Sequence, residues 1–284
     1  MLVSRTAGDH AMSEILREFV PSSMIGVIEA NTTASFLAWT KWDRLKLHQD
    51  GDDRWIESAI PFFIYNVVLQ TENTSGDVES VIDFAIFRAT SRQVPMAWWV
   101  GPSDPVPGMG KHLEAKGFVH AATLTGMAMD LWTLDEPASI PQGFTISKIN
   151  NAHDLETWCQ IMTEVSEFPD FARTAWLEMY QGIGIIEDPL WRLYLGSKDG
   201  TPVSTSALFW GAGVAGIHAI TTQPDYRGRG IGNAMTLAPL LDSQSQGYRV
   251  GVLFSSEMAT GIYRKSGFQE YGDGKIYLWQ PPGE

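Results

Sequence analysis

The sequence predicts an α/β protein made of two layered units, each a mixed sheet carrying helices. Three observations predict it. Short apolar strand segments alternate with amphipathic helical ones along most of the 284 residues. A stretch poor in large apolar residues, Leu134-Asp-Glu-Pro-Ala-Ser-Ile-Pro-Gln-Gly143, reads as a linker between halves. In the second half a glycine-rich turn separates a strand from a helix. At roughly 100–200 residues per domain the length also favours two units, divided as residues 1–134, a linker at 135–143, and residues 144–284.

In the first half, helices are expected near residues 13–20 and 25–39. A strand is expected at 60–70, where Phe62, Phe63, Ile64, Tyr65, Val67 and Val68 form a nearly continuous apolar run. Residues 77–88 carry Val78, Val81, Ile82, Ala85 and Ile86 at helical spacing. A short strand at 96–100, a helix at 108–116 and a strand at 121–132 complete this half. The second half begins with a strand at 144–149 and a helix at 151–168, started by Asn150 or Asn151 as cap with Asp154 and Glu156 in the first turn. There follow a helix at 172–181, strands at 191–196, 203–210 and 214–222, a helix at 230–246, a strand at 249–254, a short helix at 258–266 and strand material at 268–279. Gly110-Lys-His-Leu-Glu-Ala-Lys-Gly-Phe118 echoes Ile262-Tyr-Arg-Lys-Ser-Gly-Phe268, each a helix ending in Gly-Phe before a strand. The echo hints at related halves, although glycine ends many helices.

Composition narrows the function. Hydrophobic residues are 44% and charged residues 19%, ordinary for a globular protein with a sizeable core. The formal charge of −13 disfavours nucleic acid as a partner and is compatible with a cationic acceptor. Cys159 is the only cysteine, which excludes an internal disulfide and a cysteine-based metal cluster and reads as a buried inert thiol. No apolar run approaches the ~18–20 residues that span a bilayer, and residues 1–11 do not read as a secretory signal. A cytoplasmic location without membrane attachment is the expectation. Eleven tryptophans point to filled cores or aromatic clefts, and composition leaves both open.

The chemistry is concentrated in Ile220-Thr-Thr-Gln-Pro-Asp-Tyr-Arg-Gly-Arg-Gly-Ile-Gly-Asn-Ala-Met235. Pro224 stops a strand, and Gly228, Gly230 and Gly232 bend the chain tightly while leaving backbone N–H groups bare at a helix start. Such a turn is a ready anion site that suits a pyrophosphate. It is not a Walker A loop, because Asn233 and Ala234 stand where Lys-Ser/Thr is needed. It lies too deep in the chain for a dinucleotide fingerprint, which belongs to a first βα turn with an acidic ribose ligand.

Arg227-Gly-Arg-Gly-Ile-Gly232, with Pro224-Asp-Tyr226 before it, resembles the Arg/Gln-x-x-Gly-x-Gly/Ala signature of the GNAT (GCN5-related) N-acetyltransferase superfamily. The second signature of that family follows in order at Leu253-Phe-Ser-Ser-Glu-Met-Ala-Thr-Gly-Ile-Tyr-Arg-Lys-Ser-Gly-Phe268. The resemblance covers about 140 residues and implies a C-terminal GNAT domain with an acyl-CoA-binding fold. The first half is similar only loosely: its nearest stretch, Pro105-Val-Pro-Gly-Met-Gly110, lacks the arginine. A tandem arrangement with a degenerate N-terminal half that helps shape the acceptor pocket is therefore expected.

What the resemblance implies for the site is specific. Acetyl-CoA serves as co-substrate, with no metal. Arg227, Gly228, Arg229, Gly230, Ile231 and Gly232 hold its diphosphate. Ile220 and Thr222 bond the pantetheine through their backbone, in a splay between strands 214–222 and 249–254. Tyr263 matches the tyrosine that protonates the leaving thiolate, or it packs against the cofactor arm. His218 is either the general base or a satisfied core histidine, and strict alternation sets it on the face of Ile220 and Thr222. Ser255 and Ser256 either bond the cofactor or cap the helix at 258. Glu257 reads as part of that helix start, and Glu164 and Glu167 as solvated charge. Trp98 and Trp99 read as core, with one of them available to line a pocket between the halves. Asp52, Asp53 and His48 have no metal-ligand spacing. The implied activity is transfer of acetyl to a primary amine of a small molecule or peptide by direct attack in a ternary complex. A non-catalytic acyl-CoA sensor or scaffold is the competing reading, and a homodimer stays open.

Overall fold

A computed structural model describes residues 14–50, 53–70, 78–134 and 140–282. The first half contains α1 (Met24–Trp39), β1 (Lys46–Asp50), β2 (Asp53–Glu57), β3 (Val67–Gln70), α2 (Val78–Arg92), β4 (Met96–Val100), α3 (Met109–Ala115) and β5 (Val119–Asp130). The second contains β6 (Phe144–Lys148), α4 (Ala152–Val165), α5 (Asp170–Gly182), β7 (Trp191–Lys198), β8 (Thr201–Gly211), β9 (Val214–Thr222), α6 (Ile231–Ser245), β10 (Val250–Ser256), α7 (Glu257–Lys265) and β11 (Gln269–Trp279). The α/β class is as expected, and the second half follows the expected order element by element.

The first half departs from expectation in three places. Residues 14–20 are not helical; Leu16 N–H donates to Gly213 O across the turn between β8 and β9. Of residues 60–70 only the last four form a strand. Phe63–Tyr65 is a single 3-10 turn, and the apolar run is instead an irregular segment buried against the second half, with Phe62 beside Phe168 and the Tyr65 hydroxyl donating to Ala172 O. The hairpin β1–β2 escaped detection because its residues are mostly polar, as befits strands at the end of a sheet.

Among the described residues the strands form one sheet in the order β1-β2-β3-β4-β11-β5-β10-β9-β8-β7-β6. Two neighbouring pairs are parallel, β3 with β4 and β9 with β10. Each parallel pair is flanked by the closing strand of the opposite half: β11 lies beside β4, and β5 lies beside β10. The two closing strands then pair with each other. Helices α1, α4 and α5 cover one face, and α2, α3, α6 and α7 cover the other.

Burial explains the tryptophans. Trp39 and Trp42 of the first half share a core with Trp158, Trp176 and Trp191 of the second, and the rings of Trp39 and Trp176 meet edge to face at 5.2 Å. These are packed interiors that join the halves, each buried indole contributing on the order of 2–3 kcal/mol. Trp98 is fully buried, and Trp99 packs edge-on against Phe254 of β10 at 4.8 Å. Cys159 is buried and burial pushes its thiol pKa up, as an inert structural cysteine requires. No helix among the described residues is long and apolar enough to cross a membrane.

The helix–Gly-Phe–strand echo has a structural basis. Gly117 and Gly267 both take positive φ, 86° and 99°. The next residues, Phe118 and Phe268, are buried and donate their N–H to the carbonyls of Leu113 and Tyr263, each at 3.0 Å. Both helices therefore end in the same glycine-dependent turn, and each turn launches a closing strand.

Candidate active site

Strand β9 runs from a tightly paired beginning to an open end. Its parallel ladder with β10 joins Ala215 to Gly251 and Gly216 to Val252. Beyond that point β9 continues to Thr222 along β8, while β10 continues to Ser256 along β5. The two strands thus part like the arms of a V and leave backbone groups facing the gap.

A bulge shapes that gap. Opposite β8, His218 pairs with Ala207 and Thr221 with Thr205, so β9 holds one residue more than its partner between these points. Ala219 takes φ 48°, the left-handed conformation that absorbs the insertion. The bulge corrects the alternation argument. His218 faces α1, its Nε2 lying 3.2 Å from Asn31 Oδ1, whereas Ile220 packs on the opposite face with the α6 cluster. The ring of His218 is half-buried between Trp191 and Phe209, 6.0 and 6.4 Å away. This desolvation lowers its pKa from 6.5 to about 4.

At the open end Arg227 Nε donates to Thr222 O and Arg229 to Asp225 O, which fold the turn back on the strand. Gly228 and Gly230 take φ 73° and 79°, and the stretch from Arg227 to Gly230 is exposed. Helix α6 begins behind Gly230 with no side-chain cap, so the amides of Ile231, Gly232 and Asn233 stay free of that competitor. A Cβ placed on Gly228 or Gly232 would meet nothing within 4 Å. The glycines keep clear the space in front of the amides.

Behind this turn lies Tyr263. Its ring is buried against Phe268, near Thr236, whose hydroxyl donates to Gly232 O at 2.8 Å. Burial pushes the phenol to about 12, partly offset by the neighbouring Thr236 side chain. The corresponding turn of the first half has Leu113 in the place of Tyr263, five residues before the phenylalanine, so that half presents no phenol there.

Ser256 stands at the N-cap of α7 without a side-chain cap bond, and Glu257 occupies the first turn. Ser255 Oγ turns to Thr260 and the Ser256 carbonyl. Glu164 accepts from Gln160 and faces Arg173, an exposed arrangement. In the first half His48 Nε2 pairs with buried Glu57 at 2.5 Å, alongside Arg88 and Arg92. That network holds β1, β2 and α2 together; Asp52 lies outside the described residues. Among the described residues no group of three or more His, Cys, Asp or Glu is arranged to hold a metal. Asn31 was not legible as a site residue, its one signal being a polar residue on the buried stripe Met24, Ile28, Asn31, Ser35, Ala38 of α1.

Residues 212–271 match the family described as Acetyltransferase (GNAT) domain. No curated protein sequence matches the chain. Among solved structures, a GCN5-related N-acetyltransferase from Kribbella flavida is 17% identical with TM-score 0.63, covering 89% of this chain and 96% of that one. One from Sphaerobacter thermophilus is 19% identical with TM-score 0.61, covering 94% and 96%. A tandem GNAT protein from the clavulanic acid biosynthesis pathway is 14% identical with TM-score 0.58, covering 93% and 97%. Residues 212–271 thus match a GNAT acetyltransferase domain, and the chain shares over most of its length the fold of these GCN5-related and tandem GNAT structures.

Proposed function

We propose that the protein is an N-acetyltransferase that moves acetyl from acetyl-CoA to a primary amine of a small molecule or peptide by direct attack. The observation that carries the reading is the exposed, uncapped start of α6 at the mouth of the β9–β10 gap, with Tyr263 buried behind it near Thr236, whose hydroxyl donates to Gly232 O. The residues fit the group. Backbone amides from Arg227 to Gly232 would hold the diphosphate, with Arg227 and Arg229 adding positive charge, and the free edge of β9 near Ile220 and Thr222 would receive the pantetheine. Ser256 stands across the gap at the end of β10. Bound there, acetyl-CoA supplies the thioester; the chain's own groups orient it and move protons.

Tyr263 is the acid of this scheme. A buried phenol at about 12 stays protonated throughout the neutral range and can give its proton to a thiolate as that anion forms. His218 is the base. It is neutral at pH 7 and so can accept a proton, and the bulge aims it away from the diphosphate loop toward α1. The division into residues 1–134 and 144–284 around a linker, a cytoplasmic setting and an acceptor bound beside α1 belong to the same proposal.

Calorimetry with acetyl-CoA followed by thiol release over a panel of amines tests the reading. Binding with thiol release on at least one amine is expected. Binding without thiol release on any amine would favour an acyl-CoA sensor.

A further inference from the structure

An asparagine in the buried stripe of a helix needs its amide satisfied, because an unpaired buried amide costs about 1–3 kcal/mol. Asn31 is 1% exposed. Its Nδ2 donates to Gly211 O at 2.9 Å and reaches Phe209 O at 3.4 Å, both at the end of β8. Carbonyl oxygens only accept, so these two contacts fix which way the amide points: the NH2 group toward β8, the oxygen toward β9. That oxygen is the atom 3.2 Å from His218 Nε2. An amide oxygen cannot donate, so the proton of this bond sits on Nε2, and Nδ1 carries the lone pair. Among the described residues Nδ1 has no hydrogen-bond partner.

Gly216 gives independent support. Glycine in the interior of a strand weakens it and marks a close approach. A Cβ on Gly216 would overlap Asn31 Oδ1 and stand 2.9 Å from His218 Nε2. The strand gives up a side chain at the point where the amide and the imidazole meet.

We infer that Asn31, supplied by the N-terminal half, is a positioning residue that holds His218 as its Nε2–H tautomer and leaves Nδ1 to take the proton of the acceptor amine. The inference rests on the acetyltransferase reading above. In the step, an N–H bond of the acceptor ammonium breaks and an Nδ1–H bond forms. The positive charge passes to the imidazole, and the freed lone pair stays on the amine for attack. The acceptor nitrogen therefore approaches the Nδ1 edge of the ring. The first half thus completes the site although it has no glycine signature of its own.

Long-range 15N–1H spectra of the histidine side chains at neutral pH test this in the full-length protein. The His218 signals are those lost in His218→Gln. The expected spectrum shows a protonated Nε2 and an unprotonated Nδ1. In Asn31→Leu the two nitrogens should become averaged and kcat should fall at least 10-fold, with KM for acetyl-CoA within about 2-fold of the parent. Asn31→Asp, which keeps an acceptor oxygen, should restore the Nε2–H pattern. A wild-type spectrum with the proton on Nδ1 overturns the inference whether or not the variants fold, and leaves acetyl transfer standing. Absence of thiol release from the wild type would remove the catalytic role together with the acetyltransferase reading, while the tautomer itself would still be seen.

Discussion

Tyr263 differs from a tyrosine that only fills space in where it lies, near Thr236, whose hydroxyl donates to Gly232 O at the start of α6. Tyr263→Phe keeps the ring against Phe268 and removes the acid. We expect kcat to fall by about 10²-fold with affinity for acetyl-CoA unchanged in calorimetry; equal losses in both would assign the ring to packing. His218 makes a different prediction, because its pKa is lowered from 6.5 to about 4 by burial. Between those values the unfolded chain binds a proton that the folded chain refuses. The histidine's contribution to stability is therefore whole above pH 6.5 and is lost as pH falls toward 4, amounting to up to about 2–3 kcal/mol. Thermal melting between pH 4 and 7 should show this slope in the wild type and a shallower one in His218→Gln. Identical slopes would mean that the imidazole titrates normally in the folded protein.

At the scale of elements, the glycine turn and the helix it opens were legible because glycine, proline and arginine at fixed offsets specify local backbone directly. The face of His218 was not. Alternation along a strand is a dependable guide until a residue is inserted, and nothing in Ile217-His-Ala-Ile220 announces that Ala219 will adopt a left-handed backbone. Residues 60–70 misled in another way. Phe62 and Tyr65 are large aromatic residues because they meet Phe168 and Ala172 from the other half, a long-range cause that a local window reads as a strand. Asn31 stayed hidden for the same reason, since its partners lie about 180 residues further along the chain. The loop carries its own prediction. Gly232→Asp places a carboxylate in open space before bare amides that are proposed to hold a diphosphate. Affinity for acetyl-CoA should weaken by at least 10-fold through like-charge repulsion, with the melting temperature nearly unchanged. Unchanged affinity would place the diphosphate elsewhere.

The whole molecule is joined through its middle. Strand β5, from the first half, covers β10 from Val250 to Ser256, and β11, from the second, fills the space between β4 and β5. Separating the halves would strip β10 of a neighbour along the arm of the β9–β10 gap and would leave β11 without either partner. It would also expose Trp176, whose ring meets Trp39 and Tyr65 of the first half. Exposed strand edges and an uncovered aromatic surface are both aggregation hazards. Residues 140–284 expressed alone should consequently be insoluble or lack a cooperative melt, even though they contain both family signatures. The full chain cut by a protease at a site inserted into residues 135–139 should behave otherwise. Its two pieces should elute as one species and melt in one transition, because the pairing of β5 with β11 and β10 does not depend on the peptide connection. A cooperative melt from residues 140–284 near the temperature of the intact protein would show that β5 is dispensable to the second half, and that the first half is a passenger on this fold.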